Sequence, residues 1–228
     1  MTTETEKPAR HNYVSYQTLL LGAMALIASA ILAFAHLSTH EEIALRKKED
    51  LVASLGQVIP PSIYDNDLTQ DTIDIIHPGI DVRKDNIHVY RATKNGEVTA
   101  IAFEVSDNGY ASPIILVMGV DREGVLLGVR TVSHTETPGL GDDIEIEKSS
   151  WITSFNGLSL LNTEEKKWAV KKDGGQFDQF SGATITPRTV VNAVHQGMLF
   201  FSEKRDQLLE TETPTTIPAH PENSLEEE

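Results

Sequence analysis

Between Asn12 and His40 the chain carries no Lys, Arg, Asp or Glu. The centre of this stretch, LLLGAMALIASAILAFAHL from Leu19 to Leu37, is 19 residues long and almost wholly apolar. At about 1.5 Å of rise per residue it matches a hydrocarbon core about 30 Å thick. No polar face interrupts the run, which argues against a helix lying half-buried on a soluble core. Tyr13 and Tyr16 stand where interfacial aromatics anchor a span. The run predicts one transmembrane helix over residues 13–38, in contact with membrane lipid, after a short N-terminal segment, 1–12. A cleaved signal peptide is the competing reading, since Lys7 and Arg10 make a basic start and Ala33-Phe34-Ala35 resembles a cleavage site. The apolar run exceeds the usual h-region of roughly 7–15 residues, which favours the uncleaved anchor. Lys7 and Arg10 precede the run and Arg46, Lys47 and Lys48 follow it, so charge alone does not orient it.

The net charge is -15, and residues 1–40 contribute nothing to it: Glu4 and Glu6 cancel Lys7 and Arg10. The acidic body argues against nucleic-acid binding, which needs positive charge along a phosphate backbone. Cysteine is absent. That removes disulfides, Cys-ligated iron–sulfur clusters and thioether-linked haem. Electron chemistry in this chain therefore needs an organic cofactor or a metal held by other ligands.

After the apolar run, residues 39–61 read as a helix, a stalk that can continue from the membrane span. Thr39 and Glu42 have capping-box spacing, Leu45, Leu51, Val52 and Leu55 form an apolar stripe, and Gly56 with Pro60-Pro61 ends it. Residues 62–86 are polar and show no period, so 39–86 is expected to be stalk and connection. Strands follow at 87–92 and 97–105 around Asn95-Gly96, a strong hairpin signal. A second pair, 113–120 and 125–134, flanks Asp121–Gly124. The run 113–120 is apolar on both faces and belongs in the middle of a sheet. A helix near 149–158 and another from Pro187 to about residue 208 should cover one face. In the latter, Thr186 is placed to cap and Val190, Val191, Val194, Met198 and Phe201 form the core stripe. The expected fold is α+β, an antiparallel-rich sheet covered by helices over 87–208. Residues 209–228, rich in Pro, Thr and Glu, read as a disordered acidic tail.

Three stretches hold more small residues and turn-formers than the fold requires: 107–114, 133–143 and 178–187. In the last, Gly182 and Ala183 clear space before a helix N-terminus, whose free N–H groups favour a phosphate. Ser181 and Thr184 supply hydroxyls and Asp178 a carboxylate. On these residues alone, a capped helix behind a tight turn is the simpler reading. In the second stretch, Pro138, Gly139 and Gly141 make a tight loop at a strand end. His134 and Glu136 have no second His at ligand spacing, so no metal site is expected. Tyr110 reads either as a ring-stacking residue or as a strand aromatic, and Trp151 and Trp168 are equally ambiguous.

DQFSGAT, residues 178–184, resembles the Asp-x-x-Ser/Thr-Gly-Ala-Thr motif of the FMN-binding domain family. GYASPI (109–114) and HTETPGLGDDIE (134–145) resemble two further stretches of that family. The region from the apolar run to about residue 205 is similar to the G subunits of Rnf (Rsx) electron transport complexes, relatives of the C subunits of sodium-pumping NADH:quinone reductases. The resemblance implies FMN joined through its phosphate to the hydroxyl of Thr184. It implies a flavin transferase that makes the bond and uses Asp178 in recognition. It implies residence in a bacterial inner membrane, with the N-terminus cytoplasmic, the flavin domain periplasmic, and the other subunits of the complex as partners. The family complex couples electron flow between ferredoxin and NAD to ion movement, or keeps a redox-sensing regulator reduced. Such a subunit is an electron carrier with no acid–base catalysis of its own. Ser181, Gly182, Ala183, Tyr110, Glu136, Thr137, Leu140 and Gly141 are the further residues expected at the flavin. Ser112 stands where the family usually has Gly. A stand-alone membrane-tethered flavoprotein reductase and an anchored scaffold without flavin are the alternatives.

Overall fold

The computed structural model describes residues 10–210, with side chains over 16–34 and 51–210. The tail expected over 209–228 lies outside the described residues from 211 onward, as do residues 1–9. The chain divides into two compact units that part between Leu51 and Val52.

The first helix, α1, runs unbroken over Arg10–Val58. Its window Tyr16–Phe34 has a mean hydropathy of 2.0 and none of it is buried by protein. The predicted helix start at Thr39 does not exist, because the backbone stays helical through 39–42. No Gly or Pro lies between Gly22 and Gly56 to break it. The helix also runs through Gly56. It stops before Pro60, where the missing N–H and the restricted residue before proline end the hydrogen-bond ladder.

The second unit is built on a five-stranded antiparallel sheet in sequential order. Its strands are β1 (Thr72–Ile76), β2 (Asn86–Lys94), β3 (Glu97–Asn108), β4 (Pro113–Asp121) and β5 (Leu126–Ser133). Asn95 (φ 53°) and Gly96 (φ 83°) close the β2–β3 hairpin with both central residues left-handed, as a type I′ turn needs. β1 is the strand missed in the sequence. Ile73 and Ile75 point inward, but outward Ile76 is 79% exposed, so five residues show no clean alternation.

One face of the sheet packs against helix α2 (Ile185–Leu209). The predicted stripe of Val190, Val191, Val194, Met198 and Phe201 is buried there. Each such side chain contributes about 1.5–3 kcal/mol of burial. Gly197 brings the helix close, since a Cβ there would stand 2.4 Å from Met118 Sδ. The opposite face carries small residues in register: Ala102 pairs with Gly119, and Gly119 with Gly128. The last turn of α1 lies on this row, with Leu55 and Val58 buried. A Cβ on Gly119 would meet the Val58 carbonyl oxygen at 2.4 Å. The last turn of α1 therefore touches the second face, where helices were expected on one face alone. The predicted helix at 149–158 is a 3-10 segment, Ser150–Phe155, whose Ile152 and Phe155 are buried.

Candidate functional site

Three turns, distant in sequence, meet at one edge of the sheet. The first joins β3 to β4. Gly109 N–H donates to the Ser112 carbonyl at 2.9 Å. A Cβ on Gly109 would lie 2.6 Å from Glu136 Oε1, so the backbone tolerates only glycine. Thr189 on α2 donates its hydroxyl to the Asn108 carbonyl at 2.9 Å, tying this turn to the helix.

The second turn follows β5. Leu140 and Gly141 both donate N–H to the Thr137 carbonyl, at 3.1 and 3.0 Å. Gly139 is left-handed (φ 76°) and its N–H donates to Asp142 Oδ1 at 2.7 Å. His134, expected to continue the strand, lies beyond the end of β5 at Ser133. Its Nδ1 accepts the Glu136 N–H at 3.1 Å, which assigns the ring proton to Nε2, donating to Glu145 Oε1 at 2.9 Å. Lys148 Nζ sits 2.8 Å from both Asp142 Oδ2 and Glu145 Oε1. Lys148 holds both carboxyls below the usual carboxylate range, with His134 adding to the effect at Glu145.

The third turn is Phe180–Ala183, closed by Ala183 N–H to the Phe180 carbonyl at 3.4 Å, with Gly182 at φ 83°. A left-handed third residue is what a type II turn requires. Helix α2 begins directly after it. Thr186 does not cap the helix; Thr184 occupies the N-cap position with helical φ and ψ (-70°, -25°) and makes no side-chain cap bond. The Thr186 hydroxyl turns inward instead and donates to Glu136 Oε2. Arg188 grips Asp173 through two hydrogen bonds at 2.5 and 2.6 Å, which seats the preceding loop on the first turn of α2. That pairing lowers the Asp173 carboxyl and raises the Arg188 guanidinium.

Glu136 joins the first two turns to the start of α2. It is 4% exposed. Its Oε1 accepts N–H groups from Tyr110 at 2.9 Å and Ala111 at 3.4 Å, and its Oε2 accepts from Thr186. A buried carboxylate without donors costs several kcal/mol, and three donors offset this.

The turns enclose a cleft of about 290 Å³. The first supplies Tyr110, and the second Glu136, Thr137, Leu140 and Gly141. The third and the start of α2 supply Gly182, Ala183, Thr184, Ile185 and Thr186. Asp178 and Ser181, also predicted, are exposed and lie outside the lining. Asp178 instead pairs with Lys171 at 2.6 Å on the surface. Ile185 and Thr186 are lining residues that sequence reasoning passed over. The apolar Ile185 directly after Thr184 was the available signal. Tyr110, Leu140 and Ile185 are 72%, 44% and 46% exposed, an apolar rim suited to a planar ring. Among the described lining residues, Glu136 is the one charged side chain. Trp151 and Trp168 belong to an aromatic cluster behind the third turn, with Trp151 5.0 Å from Phe180 and Trp168 stacked on His195 at 5.2 Å.

The FMN-binding domain family matches residues 109–198, a span that contains all three turns. The G subunit of the ion-translocating oxidoreductase complex of Cereibacter sphaeroides is 48% identical over 84% of this chain and 85% of its own length. The proteins of the same name from Shewanella piezotolerans and Stutzerimonas stutzeri are each 46% identical. They match 84% and 82% of this chain, and 91% and 80% of their own lengths. The chain belongs to this G-subunit family. As a member it is an electron-transport subunit with an FMN-binding domain. With its one apolar helix, it has the make-up of a membrane-anchored protein. Within the family frame Ser112 has an evident role: its Oγ accepts the Thr135 hydroxyl at 2.7 Å, joining the first turn to the second.

Proposed function

We propose that this chain carries electrons within an Rnf/Rsx-type membrane complex, through FMN esterified by its phosphate to Thr184 Oγ1. One observation carries the reading: three motifs spread over residues 109–186 converge on a single cleft, and Thr184 lines it with a hydroxyl that caps nothing. The residues present fit the cofactor. Tyr110, Leu140 and Ile185 offer an apolar seat for a ring. Gly182 and Ala183 keep the approach to Thr184 clear. The free N–H groups at the start of α2 favour a phosphate there.

FMN supplies one- and two-electron chemistry when bound. The chain's own residues orient it. Both Glu136 oxygens are engaged by protein donors. Asp178, just ahead of the third turn, and Ser181, on it, stand exposed where a flavin transferase can reach them. In this reading the N-terminus is cytoplasmic and the flavin domain periplasmic, at a bacterial inner membrane. A covalent tether keeps the cofactor from diffusing away there. The complex passes electrons between ferredoxin and NAD with ion movement, or keeps a redox-sensing regulator reduced.

The test is in-gel flavin fluorescence after co-expression with a flavin transferase. Wild type fluoresces under denaturing conditions and Thr184→Ala is dark. A fluorescent Thr184→Ala band overturns the attachment site. Co-purification with polytopic subunits supports the complex; recovery of the chain alone from a strain that makes those subunits favours a stand-alone reductase.

A further inference from the structure

Within the first turn of α2 stand two threonines, and both line the cleft. Their hydroxyls differ in circumstance. Thr184 is half-buried and caps nothing, whereas Thr186 is 1% exposed and donates to Glu136 Oε2. The other Glu136 oxygen takes the N–H groups of Tyr110 and Ala111. Gly141 covers the Thr186 hydroxyl closely, since a Cβ there would stand 2.9 Å from Thr186 Oγ1 and 3.3 Å from Glu136 Oε2. One carboxylate therefore fastens the first two turns to the start of α2, and it consumes one of two neighbouring hydroxyls in doing so.

We infer that Glu136 is a positioning residue that assembles the cleft and leaves Thr184, not Thr186, as the hydroxyl open to modification. This rests on the flavin attachment proposed above. Two effects act together. The latch turns Thr186 Oγ1 inward, beyond the reach of a phosphoryl donor. The buried negative charge beside it repels an anionic donor, while the helix N-terminus at Thr184 attracts one. In the transfer, the Thr184 Oγ–phosphorus bond forms as the phosphoanhydride bond of a flavin dinucleotide donor breaks. A nucleoside monophosphate leaves, the hydroxyl proton goes to solvent, and no electrons change hands.

Two measurements on the full chain test this. The first is a double-mutant cycle on protein without flavin, with Glu136→Gln, Glu136→Ala and Thr186→Val, read by thermal unfolding. The latch predicts that Thr186→Val lowers the midpoint in wild type and adds little once Glu136→Ala is present. Glu136→Gln, which keeps an acceptor, is expected to recover part of the loss. Additive effects would overturn the latch whatever the flavin does. The second is peptide mapping by mass after co-expression with a flavin transferase. Wild type is expected to carry FMN on Thr184 alone. Thr184→Ala should carry none, and Thr184→Ala combined with Glu136→Gln or Glu136→Ala should gain FMN on Thr186. If both double variants give a sharp unfolding transition and stay unloaded, while the Glu136 single variants load Thr184 as wild type does, Glu136 does not select the hydroxyl. If wild type itself fails to load, the attachment reading falls and the thermal cycle alone judges the latch.

Discussion

A Cβ at Gly141 would stand 3.0 Å from Glu136 Cβ, and one at Gly109 2.6 Å from Glu136 Oε1. Neither glycine has a left-handed backbone, so it is close packing that fixes them, against Glu136 and Thr186 at Gly141 and against Glu136 and the Ser112 carbonyl at Gly109. Gly141→Ala is expected to cost about 1–3 kcal/mol, as overpacking does at a tight site. Thermal or denaturant unfolding checks this, and a loss under about 0.5 kcal/mol, the range of an ordinary surface substitution, would mean the loop relaxes freely. His195 gives a pH signature at the same scale. Burial against Trp168 lowers its pKa from the usual 6.5, with Glu165 opposing weakly. A lowered histidine disfavours the charged form in the fold. The domain therefore loses stability as the pH drops below 6.5 and on through the lowered value. His195→Phe keeps the stack and removes the titration, so the unfolding midpoint of the variant should fall less between neutral and mildly acidic pH. An identical fall in both proteins would contradict the assignment. At this scale the sequence was informative about which residues gather and silent about what they do. Glu136 read as a flavin contact and Thr186 as a cap, because spacing along one segment cannot show a hydrogen bond across 50 positions.

The elements place these residues. β4 and β5 meet the end of α1 at Gly119, where a Cβ would collide with the Val58 carbonyl oxygen, and at Gly128, where it would stand 3.2 Å from Val58 Cα. Gly119→Ala is expected to destabilise the domain by about 1–3 kcal/mol, because the contact is with backbone that cannot rotate aside. The compensating change Val58→Ala should not rescue it, since the close atom is the Val58 carbonyl oxygen rather than its side chain. Rescue by Val58→Ala would contradict this geometry. The loop after β5 is pinned by Lys148, which lowers Asp142 and Glu145. Carboxyls lowered in the fold stabilise it at neutral pH, and that contribution is lost as acidification carries the pH through their lowered values. Amide exchange at Gly139, whose N–H is held by Asp142, should quicken relative to neighbouring amides in acid. Lys148→Met should move that change to higher pH; an unmoved profile would sink the assignment. The hairpin at Asn95-Gly96 and the α2 stripe were legible because their signals are local: left-handed turn residues and a helical period. β1 was not, since five residues with an outward Ile76 leave no period. The contact of α1 with the second face was not legible either, because small residues on a strand read as weak strand formers until their register is known.

For the whole molecule, an uncharged apolar run and an acidic α+β body are both plain in the order of residues. The two compact units part at Leu51–Val52, inside the segment 39–86 expected to be stalk and connection. The stalk continues the apolar run as one helix, Arg10–Val58, since nothing between Gly22 and Gly56 breaks it. An uncleaved Tyr16–Phe34 segment predicts that the full chain stays in the membrane fraction after an alkaline wash and needs detergent for release. Recovery of a soluble chain shortened after Ala35 would show cleavage instead. The central claim is that one hydroxyl, on Thr184, carries the flavin. The most direct test is the intact mass of the denatured chain, for wild type and Thr184→Ala, each made together with a flavin transferase. The account predicts that wild type gains the mass of one esterified FMN and Thr184→Ala gains nothing. An unmodified wild type, or a Thr184→Ala chain that still gains FMN, would contradict it.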